Sequence, residues 1–152
     1  MRPEPTNTLP DGVRAMWLCE DLIGVLVLLA IALAIAVPVD ALMPWLPLLV
    51  AVGGLAHIVL VPRERYRRYR WELRTEELDL LEGVLTVTRT VVPITRIQHV
   101  SVERTGWTSV FDLVRLNVHT AAGKTTIPGL EPARAADVRD QILARLRTPD
   151  DL

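Results

Sequence analysis

The stretch LIGVLVLLAIALAIAVPVDALMPWLPLLVAVGGLAHIVLV, residues 22–61, holds a single acid, Asp40, and one other titratable group, His57. It divides into two apolar runs, Leu22–Val39 and Ala41–Val61, of 18 and 21 residues. A bilayer core takes about 20 apolar residues in a helix. Neither run carries the polar stripe of a helix that lies on a soluble core. The pair predicts a two-helix transmembrane hairpin over residues 17–61, with spans about 22–39 and 41–61. Pro38, Asp40 and Pro44 mark a short connection, so the helices run antiparallel, and Pro47 is expected to kink the second. Gly53-Gly54 permits close helix approach. Ala34-Ile35-Ala36 resembles a signal cleavage site. The first run is long, its flank is poor in positive charge and a second span follows, so the hairpin is expected to be retained.

Working outward, the next residues read PRERYRRYR, 62–70, with Arg63, Arg65, Arg67, Arg68 and Arg70 against Glu64. Residues 1–61 carry two arginines and five acids, and residues 71–152 carry ten basic and twelve acidic groups. The net charge of −1 therefore hides a local basic collar, 62–67. The positive-inside rule keeps that collar cytoplasmic. An even number of spans puts both termini there too: an N-terminal tail, 1–16, and a short C-terminal tail, 149–152. The expected location is the cell membrane, multi-pass, with Trp17 and Trp45 at headgroup level on opposite faces. The five arginines are candidate contacts for anionic lipid, each worth about 1 kcal/mol near such a surface. The plainer alternative is that they serve topology and pair with Glu64 or Glu72.

Beyond the collar the pattern alternates. Tyr69, Trp71 and Leu73 share one strand face, Thr75-Glu76-Glu77 reads as a turn, and Leu78-Asp79-Leu80 alternates again before Glu82-Gly83. Val84–Val92 is a β-branched run ended or bent by Pro93. Ile97–Glu103 follows with Val100 and Val102 in phase and Ile97 out of phase, which predicts a bulge or turn. Val114–Thr120 is the clearest strand, and Ala121-Ala122-Gly123 turns it into Lys124–Ile127. Glu131-Pro132 opens a helix with the stripe Ala135, Val138, Ile142 and Leu146. Six strands and a helix in so few residues make a marginal core, which docking on the hairpin or self-association would supplement.

The segment Arg68–Leu130 resembles the bacterial PH-domain family of YdbS-like membrane proteins. The likeness rests on a Tyr/Arg-rich first strand, the TEEL turn (75–78), GVL (83–85), VPITRIQHV (92–100), the HTAAG hairpin (119–123), IPGL (127–130) and two preceding spans. It implies an α+β chain: the hairpin, then a pleckstrin-homology-like β-barrel with a C-terminal helix, residues 68–148. It also implies a seventh strand, which Val84–Ile94 would supply if it held two. Many relatives have glycine where this chain has Asp112. Phosphoinositide-binding PH domains carry basic residues in the first hairpin; here that turn, Arg74–Glu77, is net acidic, which argues against inositides.

Catalytic, cofactor and metal sites are not expected. Cys19 stands alone, and His57, His99 and His119 form no HxxxH or acid–histidine motif. Gly123-Lys124-Thr125 resembles the end of a Walker motif but has Val118 in place of the upstream glycine. Ser101 and Ser109 lack a nucleophile-elbow context. No nucleic-acid partner or small-molecule substrate is expected, since the C-terminal region has no basic face. The partners expected are the bilayer and a protein or second copy. Trp107, Val110 and Phe111 are the candidate contact, against a reading in which they fill the core. The leading expectation is a non-enzymatic interaction module anchored at the membrane. The alternative is anionic-lipid sensing through the collar. A weaker third is an intramembrane transport or proton-handling role for His57, which has no acidic partner inside either run.

Overall fold

Two long helices lead the chain in the computed structural model, which describes residues 3–36 and 45–147. The proposed connection at Pro38, Asp40 and Pro44, the adjoining ends of both runs and the tail 149–152 lie outside the described residues. Helix α1, Asp11–Ala36, has 26 residues and α2, Leu46–Arg68, has 23. At 1.5 Å per residue these are about 39 and 35 Å long, and both are long and apolar enough to cross a membrane. They pack side by side, and at Gly54 a Cβ would lie 2.4 Å from Val25 Cγ1, so only glycine admits this approach. Gly53 has open space around it, so the contact is made by one of the pair.

The N-terminal residues are not a tail. Asn7 forms an antiparallel bridge to Trp71, its N–H donating to the Trp71 carbonyl at 3.1 Å and its carbonyl accepting at 3.0 Å. The Pro3 carbonyl accepts from Arg74 and Arg89 at 2.7 and 2.9 Å. Leu9, Val13, Met16 and Trp17 are buried in the domain core. Their spacing puts them on one side of the helix entry, and burying each is worth about 1.5–3 kcal/mol. That burial also moves Trp17 away from its expected headgroup position: it is 3% exposed.

The collar is not a separate linker either. It forms the last turns of α2, whose chain leaves directly into β1, Arg70–Leu73. Pro47 sits in the first turn of α2, where its missing N–H costs nothing, so it is a start signal and not a kink. Pro62 is the proline inside the helix, and it is buried.

Strands β1, β2 (Glu77–Glu82) and β3 (Thr88–Pro93) form one antiparallel sheet. A 3-10 turn, Ile94–Arg96, passes the chain to a second antiparallel sheet of β4 (Ile97–Glu103), β5 (Val114–Thr120) and β6 (Gly123–Leu130). The barrel is not closed. Thr90–Pro93 and Thr120–Thr125 line a groove between the sheets rather than pairing. Nor does Val84–Ile94 hold two strands: residues 84–87 are loop, and Leu85 is 97% exposed. Gly83 sets this loop with φ +133°, where a Cβ would lie 1.9 Å from the Thr86 carbonyl oxygen. The register does shift between Ile97 and His99, as the phase break requires; Val100 is buried and Val102 exposed.

A short helix α3, Gly106–Val110, joins β4 to β5, capped by the reciprocal Thr105–Thr108 hydrogen bonds. It ends at Asp112, whose φ of 50° is left-handed, a conformation that glycine adopts most readily. Helix α4, Pro132–Arg147, buries Ala135, Val138 and Ile142 against the second sheet side of the core, with Leu146 partly covered. One apolar core thus joins sheets, α4 and the first turns of α1. Beneath it Asp79, fully buried, accepts a two-pronged hydrogen bond from Arg89 and lies 3.5 Å from Arg74. That hydrogen bond raises the Arg89 pKa further and keeps the guanidinium charged.

Candidate functional site: two recesses at the foot of the hairpin

The five collar arginines separate into different roles. Arg67 and Arg68 both reach Glu64, at 3.1 and 3.2 Å, through i,i+3 and i,i+4 spacings on one helix face. Arg65 lies over the Trp17 ring, 4.2 Å from its centroid, a cation–π contact that ties α2 to α1. Arg63 and Arg70 point elsewhere. With Arg67, Tyr66, Thr8 and Arg14 they line a recess of about 270 Å³. Among the described residues, Arg14, Arg63 and Arg70 have no carboxylate at ion-pair distance. The nearby Asp11 instead accepts the Tyr66 hydroxyl at 3.0 Å. Arg14 is the member that sequence reasoning used only for topology. It joins the recess because α1 starts inside the domain, so its first turn passes the end of α2.

A second, larger cleft of about 610 Å³ opens on another side of the same helix feet. Trp17 and Glu20 of α1, Arg65 of α2 and Tyr69 form one wall. Glu82, Gly83, Val84 and Thr88 form another, and Glu103, Arg115, Asn117, Lys124, Thr126 and Pro128 of the second sheet complete it. Asn117 is fully buried; its Oδ1 accepts from the Thr126 hydroxyl at 2.8 Å and its Nδ2 has no partner. An unpaired buried amide donor costs about 1–3 kcal/mol. Burial drives the Tyr69 pKa well above the ordinary phenol range; Glu82 adds to this and Arg65 opposes it. Tyr69 therefore stays a neutral donor, its hydroxyl 3.4 Å from the Thr126 carbonyl.

The other expected contacts divide as well. Trp107 and Phe111 meet edge-on with centroids 5.7 Å apart and pack against the core, while Val110 is 72% exposed. His57 does gain an acid: the hairpin brings Asp21 to 3.6 Å from its Nε2, a pairing across helices that neither apolar run reveals alone. His99 and His119, distant in sequence, are register partners with rings 5.7 Å apart. Among the described residues, no cluster of three or more His, Cys, Asp or Glu side chains that could hold a metal is present.

Two helices long and apolar enough to cross a membrane run directly into an α+β domain of two three-stranded sheets and a C-terminal helix. The family model described as Bacterial PH domain matches residues 16–146, so the chain belongs to the bacterial PH-domain family. It is 31% identical to the UPF0699 transmembrane protein YdbS of Bacillus subtilis (strain 168), with 99% of each chain covered, and it is a membrane protein. No solved structure matches.

Proposed function

We propose that this chain is a non-enzymatic membrane anchor that holds its PH-like domain against the cytoplasmic face and engages anionic lipid headgroups through Arg14, Arg63, Arg67 and Arg70. The observation that carries this reading is the convergence of four arginines from α1, α2 and β1 on one recess, three of them with no carboxylate at ion-pair distance among the described residues. Charge placed this way has a phosphate-bearing surface as its natural counterpart. The even number of spans and the arginines after the second support the cytoplasmic orientation. The test is lipid retention by the full-length protein, extracted in mild detergent and analysed by native mass spectrometry. Phosphatidylglycerol should be retained over phosphatidylcholine, less so at high salt, and the preference should disappear when the four arginines become glutamine. Equal retention of both lipids by the wild type would sink the reading.

A second reading is a protein partner or second copy at α3. It is favoured by Val110, which stands exposed beside the half-buried Trp107–Phe111 pair. A photoreactive residue at position 109, beside Val110, in the intact protein in cells should then yield one discrete cross-linked product, which the added substitution Val110→Asp abolishes.

A further inference from the structure

We propose that the larger cleft is a binding site for the zwitterionic headgroup of an aminophospholipid, a phosphate ester that carries a primary ammonium. Its independence from the arginine recess rests on a different lining. The recess presents cations alone, whereas the cleft presents Arg65, Arg115 and Lys124 together with Glu20, Glu82 and Glu103. Arg115 and Glu20 already pair with each other at 3.8 Å, which leaves Arg65 and Lys124 opposite Glu82 and Glu103. Two charges of each sign suit a ligand that has both and no net charge, whereas a purely anionic headgroup would meet carboxylates. The buried Asn117 Nδ2 lacks an acceptor, and a phosphate oxygen supplies one. The Thr88 hydroxyl offers a further partner.

Position selects a lipid as the source. Glu20 lies two residues before Leu22, where the apolar run of α1 begins, and Arg65 lies four residues after Val61, where that of α2 ends. At 1.5 Å per residue these walls stand about 3 and 6 Å from the hydrocarbon, within a headgroup layer of about 5–7 Å per leaflet. The loop wall that begins at Gly83 carries Leu85 and Val87, both exposed apolar side chains, so the cleft has a greasy rim. The volume, about 610 Å³, falls in the range of small-ligand sites.

The ammonium is primary because the cleft has no cage for a quaternary one. Choline-type groups are held by aromatic faces. Of the two aromatic residues in the lining, Trp17 already has Arg65 over its ring, and Tyr69 is buried. Carboxylates are the partners a hydrogen-bonding ammonium takes.

The experiment uses the full-length protein in nanodiscs or mild detergent, with native mass spectrometry of lipids retained from equimolar phosphatidylethanolamine, phosphatidylcholine and phosphatidylglycerol. Phosphatidylethanolamine should be retained over phosphatidylcholine by about tenfold, the value of one charge-assisted hydrogen bond. The exposed-side variant Glu82→Gln with Glu103→Gln should abolish that preference and leave phosphatidylglycerol retention unchanged. Arg14→Gln with Arg63→Gln should do the reverse, which separates failure of this site from failure of the arginine recess. Asn117→Leu, which removes the unpaired donor, should weaken phosphatidylethanolamine retention while the protein stays folded by its melting curve; Asn117→Asp serves if it does not. Equal retention of phosphatidylethanolamine and phosphatidylcholine overturns the proposal. So does binding of soluble glycerophosphoethanolamine as tight as that of the lipid, because it makes the source a soluble ester.

Discussion

The two halves of α1 carry similar apolar side chains and meet opposite surroundings. Val13, Met16 and Trp17 are buried among the sheets and α4, with Trp17 only 3% exposed. Leu22, Ile23, Leu26, Leu28 and Ile31 lie open, with Leu28 at 58%. The first half is held by protein packing, and the second is left open, as a helix that crosses a membrane would be. A hydrocarbon solvent gives an apolar side chain no reason to leave it for another helix, so loss of methyl groups is felt in one half and hardly in the other. The hairpin and the PH-like domain therefore form one folding unit, joined through the foot of α1 and the unbroken passage from α2 to β1.

The sharpest way to break this comparison is a matched pair of truncations. Trp17→Ala should cost about 3–5 kcal/mol, the range for deletion of a buried aromatic. Leu28→Ala should stay within about 0.5 kcal/mol, the range of an uncovered position. Thermal unfolding of the intact protein in detergent measures both; similar losses would mean that the two halves are equally packed. Next in size is Gly54→Leu, which overfills the contact with Val25 and should cost about 1–3 kcal/mol. Gly53→Leu, with open space around it, should be near neutral.

At the foot itself, Arg14→Gln should weaken retention of anionic lipid about fivefold, the equivalent of about 1 kcal/mol per basic residue. The smallest expected effect is a pH slope. The Tyr69 pKa is raised in the folded protein, chiefly by burial, from an ordinary value of 10.0. A raised folded value means that its contribution is fully present below pH 10.0 and is lost as pH climbs above it. Alkaline melting curves should fall more steeply for the wild type than for Tyr69→Phe, and parallel curves would show that the hydroxyl is not buried.

Much of this was legible in the sequence because the signals are local. Two uninterrupted apolar runs, the alternation of Val114–Thr120 and the stripe Ala135–Val138–Ile142 each follow from one period, and each forms the element it predicts. Val84–Val87 misled because β-branched residues favour strands, yet Gly83 opens a loop whose backbone turns too sharply for pairing. The phase break at Ile97 was readable as a bulge for the opposite reason: it is a defect within a period. Leu9, Val13, Met16 and Trp17 did carry a helical spacing, which could have revealed the docked entry. It was hidden by the longer apolar run that follows.

Sequence alone determined the class of this protein: a membrane hairpin, a basic collar at its end, and an α+β domain of the bacterial PH family. Those features are written in composition and periodicity, which the chain carries before it folds. Tertiary structure alone decided which arginines have no carboxylate at ion-pair distance among the described residues. Glu64 takes Arg67 and Arg68, Trp17 takes Arg65, and Arg14 is brought in from 49 residues before Arg63. It also brought Asn117 and six charged side chains from α1, α2, β2, β4, β5 and β6 to one cleft. Partner choice depends on distance in space, and spacing along the chain carries no record of it once helices and sheets pack across one another.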